Sequence, residues 1–130
     1  MIFSCLARPG GRILLVDDDA DAALFATHVL STVARFSVTH TADPAVALRL
    51  ATQGGCDLLL TEAYLPGLTG GELTAAVRRL VPGLPVIVLT SRLLGAGEAR
   101  TLRKLADAYL EKPVPAERLI ATATRLLAAG

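Results

Sequence analysis

The chain has 130 residues, of which 52% are hydrophobic and 19% charged, with 13 Lys and Arg against 12 Asp and Glu for a formal net charge of +1. A domain of this size buries roughly two thirds of the surface its unfolded chain exposes, so one core can hold it without disulfides or a structural metal. A balanced charge with scattered bases excludes a phosphate-backbone footprint, and the longest apolar runs, residues 13–16 and 86–89, are far short of the ~20 residues of a membrane helix.

Residues 1–11 carry a short apolar start and then Arg8-Pro9-Gly10-Gly11, without the basic and long apolar regions of a secretory signal. They read as a loose arm, and residues 12–130 as one domain. Cys5 and Cys56 have no Cys-x-x-Cys spacing and no nearby His, which fits a reducing, cytoplasmic setting and no zinc site. Residues 12–16 form a continuous apolar run, the mark of a strand buried on both faces. The first helix follows, with Ala22, Phe25, Ala26, Val29, Leu30 and Val33 as one apolar stripe and Asp19 or Asp21 as its N-cap. Residues 36–41 alternate apolar and polar and suit an edge strand. Asp43 and Pro44 start a second helix that buries Ala47, Leu48 and Ala51 and ends at Gly54-Gly55.

Residues 56–61 are a third strand. A third helix after Gly70-Gly71 uses Leu73, Ala76, Val77 and Leu80 and stops at Pro82-Gly83. Residues 86–89 are a fourth strand, followed by a helix around residues 98–105 whose start Gly95 and Gly97 weaken. Residues 108–110 are the fifth strand, and the last helix runs from Pro115 through Leu119, Ala123, Leu126 and Leu127. Strict β/α alternation with short loops calls for a doubly wound, five-stranded parallel sheet, since parallel strands need crossover helices.

In such sheets the chemistry sits at the carboxyl ends of the strands. Here those ends carry Asp17-Asp18-Asp19, Thr61-Glu62, Thr90-Ser91 and Glu111-Lys112-Pro113. Carboxylates crowded at one rim repel each other unless a hard cation such as Mg²⁺ sits among them. A hydroxyl and a lysine supply what a phosphoryl group needs. Each residue also has a plainer reading: Asp19 and Asp21 as helix caps, Lys112 as a solvated lysine, Thr90 as a strand end. His28 and His40 are isolated and receive no role.

The runs Ile13-Leu14-Leu15-Val16-Asp17-Asp18-Asp19, Asp57-Leu58-Leu59-Leu60-Thr61-Glu62, Leu65-Pro66-Gly67-Leu68-Thr69-Gly70, Pro85-Val86-Ile87-Val88-Leu89-Thr90-Ser91 and Ala108-Tyr109-Leu110-Glu111-Lys112-Pro113 together resemble the receiver domain of bacterial two-component response regulators. The resemblance covers the chain from Arg12 to Leu127. It implies a flavodoxin-like (βα)5 fold with strand order 2-1-3-4-5. It also implies that Asp17 and Asp18 match the acidic pair that holds Mg²⁺, with Glu62 as a third carboxylate. Thr90 and Lys112 would recognise phosphate, Thr90 and Tyr109 would form the switch, and the Lys112-Pro113 bond would be cis.

The phospho-acceptor slot, four residues before Pro66, holds Glu62 in place of the family's aspartate. Asp57 falls at the opposite end of the sheet, and Thr61 points to the other face of its strand. One extra methylene moves the carboxylate by about 1.5 Å, and misplacement of that order costs about 100-fold in a transfer that depends on positioning. An atypical receiver is therefore expected, one not phosphorylated in the usual way and acting as a protein-interaction module. Glu62 either reaches the phosphoryl space beside Lys112 and Thr90 and imitates phosphorylation, or marks a degenerate site. Tyr64 either overhangs the pocket or lies on a loop.

The implied partners are a histidine kinase or a downstream signalling protein, with a homodimer through the fourth helix, fifth strand and fifth helix also open. The alternative from another class is a small Mg²⁺-dependent phosphatase of haloacid-dehalogenase type using Asp17 and Asp19. That fold needs a further acidic motif after the lysine, and Glu117 is the last acid in the sequence. No enzyme activity is expected.

Overall fold

The five apolar runs become five parallel strands in a computed structural model that describes residues 11–91 and 95–129. Residues 1–10 of the expected arm, Cys5 among them, lie outside the described residues. In chain order the elements are β1 (Arg12–Val16), α1 (Ala20–Thr27) continued by a π-helical segment (His28–Val33), β2 (Ser37–Thr41), α2 (Pro44–Thr52), β3 (Leu58–Glu62), α3 (Gly70–Leu80), β4 (Val86–Thr90), α4 (Ala96–Leu105), β5 (Ala108–Glu111) and α5 (Ala116–Ala129). The sheet order is β2-β1-β3-β4-β5, so the flavodoxin-like fold holds as expected.

Continuity of the apolar runs has the predicted cause. Leu58, Leu59, Leu60, Val86, Ile87 and Val88 are fully buried because helices cover both faces of the sheet. On one face Ile13, Leu15, Leu60 and Leu89 pack against Ala26 and Leu30 of the first helical stretch and Leu119 and Ala123 of α5. On the other, Leu14, Leu59 and Val88 meet Ala47 of α2, Leu73 and Val77 of α3 and Leu102 of α4. Strand β2 is partly exposed along its length, as an edge strand should be.

The first helix departs from its predicted stripe. Ala23, Ala26, Val29 and Leu30 are buried, whereas Phe25 and Val33 are exposed. The π-helical segment explains Val33: the Ala34 N–H reaches the Val29 carbonyl five residues back, so each turn holds more residues and the core-facing position slips from Val33 to Ala34. Strand boundaries also shift. Strand β2 begins at Ser37 because Phe36, still tied to the Leu30 carbonyl, is a buried part of the preceding turn. Strand β3 runs from Leu58 to Glu62, which puts Glu62 on the strand itself, in register with Leu89 of β4.

Candidate functional site

The carboxyl edge collects side chains from β1, β3, β4 and the segment after β5. Asp17 directly follows β1 and is buried. Its position is fixed by backbone before its side chain acts: its N–H donates to the Thr41 carbonyl at 3.2 Å, and its carbonyl lies 2.8 Å from Nε2 of His40. The carboxylate then has a partner at each oxygen, the Asp19 N–H on Oδ1 at 2.9 Å and the Lys112 ammonium on Oδ2 at 2.7 Å.

Glu62 ends β3 and is only 5% exposed. On its strand it shares a face with Leu58 and Leu60, the face covered by α1 and α5. Its Oε2 accepts from the Ala63 N–H at 2.9 Å, while Oε1 lies 3.3 Å from Ser91 Oγ and 3.7 Å from Lys112 Nζ. Burial raises this carboxyl above the ordinary range. The Lys112 ammonium and the Ala63 N–H oppose the rise, and the neighbouring Asp17 adds to it.

The loop after β3 is shaped to bring α3 against this strand end. Gly67 adopts φ +87, which closes the Pro66-Gly67 turn. At Gly70, where α3 begins, a Cβ would stand 2.2 Å from the Glu62 carbonyl oxygen, so only glycine permits the approach. Thr69 and Glu72 complete a reciprocal capping box at the start of that helix.

Lys112 reaches the edge from the segment beyond β5, with its backbone N–H held by the Thr90 carbonyl at 2.8 Å, and the Lys112-Pro113 peptide is cis. Its ammonium touches both buried carboxylates, tightly at Asp17 and loosely at Glu62. Thr90 is buried at the end of β4. Tyr109 is half-buried on β5, packs toward the α2, α3 and α4 side, and carries the Arg103 guanidinium 4.8 Å above its ring.

The remaining expected residues take separate places. Asp18 is exposed. Asp19 caps α1, accepting from the Asp21 and Ala22 N–H groups, which gives it the helix-cap role. Asp57 is held by Arg12 at the amino end of the sheet. Tyr64 does not hang free: its hydroxyl donates to Glu98 at 3.1 Å, tying the loop after β3 to α4. Cys56 is a half-buried thiol that burial pushes up to about 11, far from a reactive thiolate.

Two contributors escaped the sequence reading. Ser91 follows Thr90 directly and alternates with it, and alternation alone puts one of the two hydroxyls on the face that Glu62 shares. His40 was legible only as an isolated ring, because its partner is a backbone carbonyl 23 residues away.

The carboxylates are of the hard-oxygen kind a divalent ion prefers. Their arrangement fits one poorly: among the described residues no group of three His, Cys, Asp or Glu side chains is gathered to hold a metal ion, and the Lys112 ammonium occupies the gap between the two buried acids.

The family model described as "Response regulator receiver domain" matches residues 13–124. The chain is 32% identical over 120 residues to the DNA-binding transcriptional regulator NtrC of Bradyrhizobium sp. (strain RP501 Parasponia), which covers 92% of this chain and 25% of that protein. It is 34% identical over 116 residues to the transcriptional regulatory protein PrrA of Mycobacterium tuberculosis, covering 89% and 49% respectively. The chain therefore spans half or less of the length of these curated relatives. Among solved structures, a CheY-like receiver domain protein from Methanospirillum hungatei JF-1 superposes with a TM-score of 0.85 at 26% identity, covering 92% of this chain and 95% of that one. The receiver domain of the sensor histidine kinase PA1611 from Pseudomonas aeruginosa PAO1, with a magnesium ion coordinated in its active site cleft, gives 0.82 at 28% identity, covering 92% and 98%.

Proposed function

Because the chain belongs to the response regulator receiver domain family, the regulatory modules of two-component signalling, we propose that it is an atypical receiver whose buried glutamate replaces the phosphoryl cycle and whose output is a protein contact. Residues 12–130 are the receiver in this reading and residues 1–11 an arm. The supporting observation is the Glu62 carboxylate, buried in the acceptor slot and facing both Ser91 and the Lys112 ammonium. A negative group already stands where a phosphoryl group would be read by a hydroxyl and a cation. Lys112 and Thr90 are the recognition residues and Thr90 and Tyr109 the switch.

Receivers interact with histidine kinases and effector domains. For this chain the partner is a kinase or a downstream signalling protein met in the cytoplasm, and a homodimer through α4, β5 and α5 uses the face that carries Tyr109 and Arg103. No described helix is long and apolar enough to cross a membrane. The domain is regulatory rather than catalytic and makes no direct nucleic-acid contact. Mg²⁺ binding at Asp17, Asp18 and Glu62 is weak.

The test is covalent. Full-length protein incubated with a small acyl phosphate donor and Mg²⁺ should show no phosphoryl adduct by intact mass, while Glu62→Asp should gain one. A stoichiometric adduct on Glu62 of the wild type overturns the reading.

A further inference from the structure

A receiver-type rim normally balances its acids with a divalent ion, yet this one already holds a cation of its own. The Lys112 ammonium lies 2.7 Å from Asp17 Oδ2 and 3.7 Å from Glu62 Oε1, and the two carboxylates it touches are 2% and 5% exposed. A hard divalent ion would need an oxygen of Asp17 at about 2.1 Å. Of the two, Oδ1 is engaged by the Asp19 N–H and Oδ2 by Lys112 itself. An ion entering beside Lys112 would stand within a few ångströms of a like charge in a poorly solvated pocket, where repulsion is weakly screened. Swinging the flexible lysine side chain aside gives up its 2.7 Å contact with a nearly buried carboxylate, so the ammonium and an entering ion compete for the same Asp17 oxygen.

We propose that Lys112 is the built-in counter-ion of this site and weakens divalent-metal binding by occupying the charge gap between Asp17 and Glu62, so that the rim is assembled and neutralised before any Mg²⁺ arrives. The inference rests on the reading that Asp17, Asp18 and Glu62 are the carboxylates facing that gap. By linkage, whatever Lys112 contributes to holding the two acids is subtracted from the affinity for a competing cation, and the reverse must hold equally.

The experiment is a Mg²⁺ titration of the full chain at constant ionic strength, followed by calorimetry and by thermal unfolding, for wild type, Lys112→Met and Lys112→Arg. Removing the ammonium should raise Mg²⁺ affinity by about tenfold or more, while Lys112→Arg, which keeps the charge, should stay as weak as wild type. If Lys112→Met unfolds without metal, its refolding by excess Mg²⁺ supports the proposal, and failure to refold counts against it. Equal affinities in wild type and Lys112→Met, or no binding by either folded protein, overturn it. A phosphoryl adduct on wild-type Glu62 overturns the atypical-receiver reading, whereas equal Mg²⁺ affinities of wild type and Lys112→Met overturn this inference, so the two failures are separately visible.

Discussion

At the residue scale the site turns on one carboxyl group placed where burial works against its charge. Glu62 has its carboxyl raised chiefly by burial, with Lys112 only partly compensating. A raised value means that the folded state binds this proton more tightly than the unfolded state does. The group therefore adds stability in acid, below the ordinary carboxylate value, and that contribution is lost as pH rises through the raised value. Glu62→Gln keeps the shape and removes the charge. Its advantage over wild type in thermal melts should be larger near pH 7 than near pH 4, since the ordinary carboxylate value of about 4.3 lies just above the lower pH and burial shifts this group upward from it. A difference that is flat with pH would show that Lys112 fully offsets the burial. The acid at this position was readable in the sequence, as the strand-end residue four places before Pro66. The partner order was not: the sequence suggested Glu62 to Lys112, and folding gives Asp17 the closer contact.

At the element scale the first helix shows where periodicity misleads. A stripe drawn at 3.6 residues per turn through Ala22, Phe25, Val29 and Val33 assumes one helix type throughout, and no residue in the run announces the wider turn at His28–Val33. What ends that segment is equally local. Arg35 takes φ 65, a left-handed conformation, while the Phe36 N–H reaches back to the Leu30 carbonyl. A non-glycine residue there costs about 1 to 2 kcal/mol, partly recovered because arginine has fewer unfolded conformations to lose than glycine. Arg35→Gly should stabilise the domain by about 0.5 to 1 kcal/mol, the left-handed cost less the entropy offset, and Arg35→Val, β-branched, should destabilise it, both measured by urea unfolding. If both variants lose stability, the left-handed residue is not the source of strain. By contrast the second and third helices were readable in detail. Asp43 with Pro44 and Thr69 with Glu72 are start signals whose hydrogen bonds lie within three residues, so nothing distant decides them.

At the scale of the whole molecule the amino end of the sheet holds the elements in the register that the carboxyl edge requires. Arg78 of α3 donates to the Leu84 carbonyl at 2.7 Å, to the Leu105 carbonyl at 2.8 Å and to Asp107, whose carboxylate also accepts from the Val86 N–H. One guanidinium thus joins α3, the start of β4, the end of α4 and the turn into β5. Arg78→Ala would leave two carbonyls and a carboxylate without this donor. The expected loss is about 2 to 3 kcal/mol by urea unfolding, and a loss under about 0.5 kcal/mol, the level of an ordinary surface substitution, would mean that water replaces the arginine.

The sequence by itself determined the element order, the parallel doubly wound class, the edge position of β2 and the rim to which Asp17, Glu62, Thr90 and Lys112 belong. Those features follow from hydrophobic period and chain punctuation, which are local and survive without knowledge of contacts. Only the tertiary structure decided that Lys112 pairs first with Asp17, that His40 braces the Asp17 carbonyl, that Ser91 faces Glu62, and that Tyr64 binds Glu98 on α4. Each of those contacts joins residues between 23 and 95 positions apart. Their geometry is set by strand register and by the close seat that Gly70 allows α3, and neither is encoded in the residue types at the two ends of the contact.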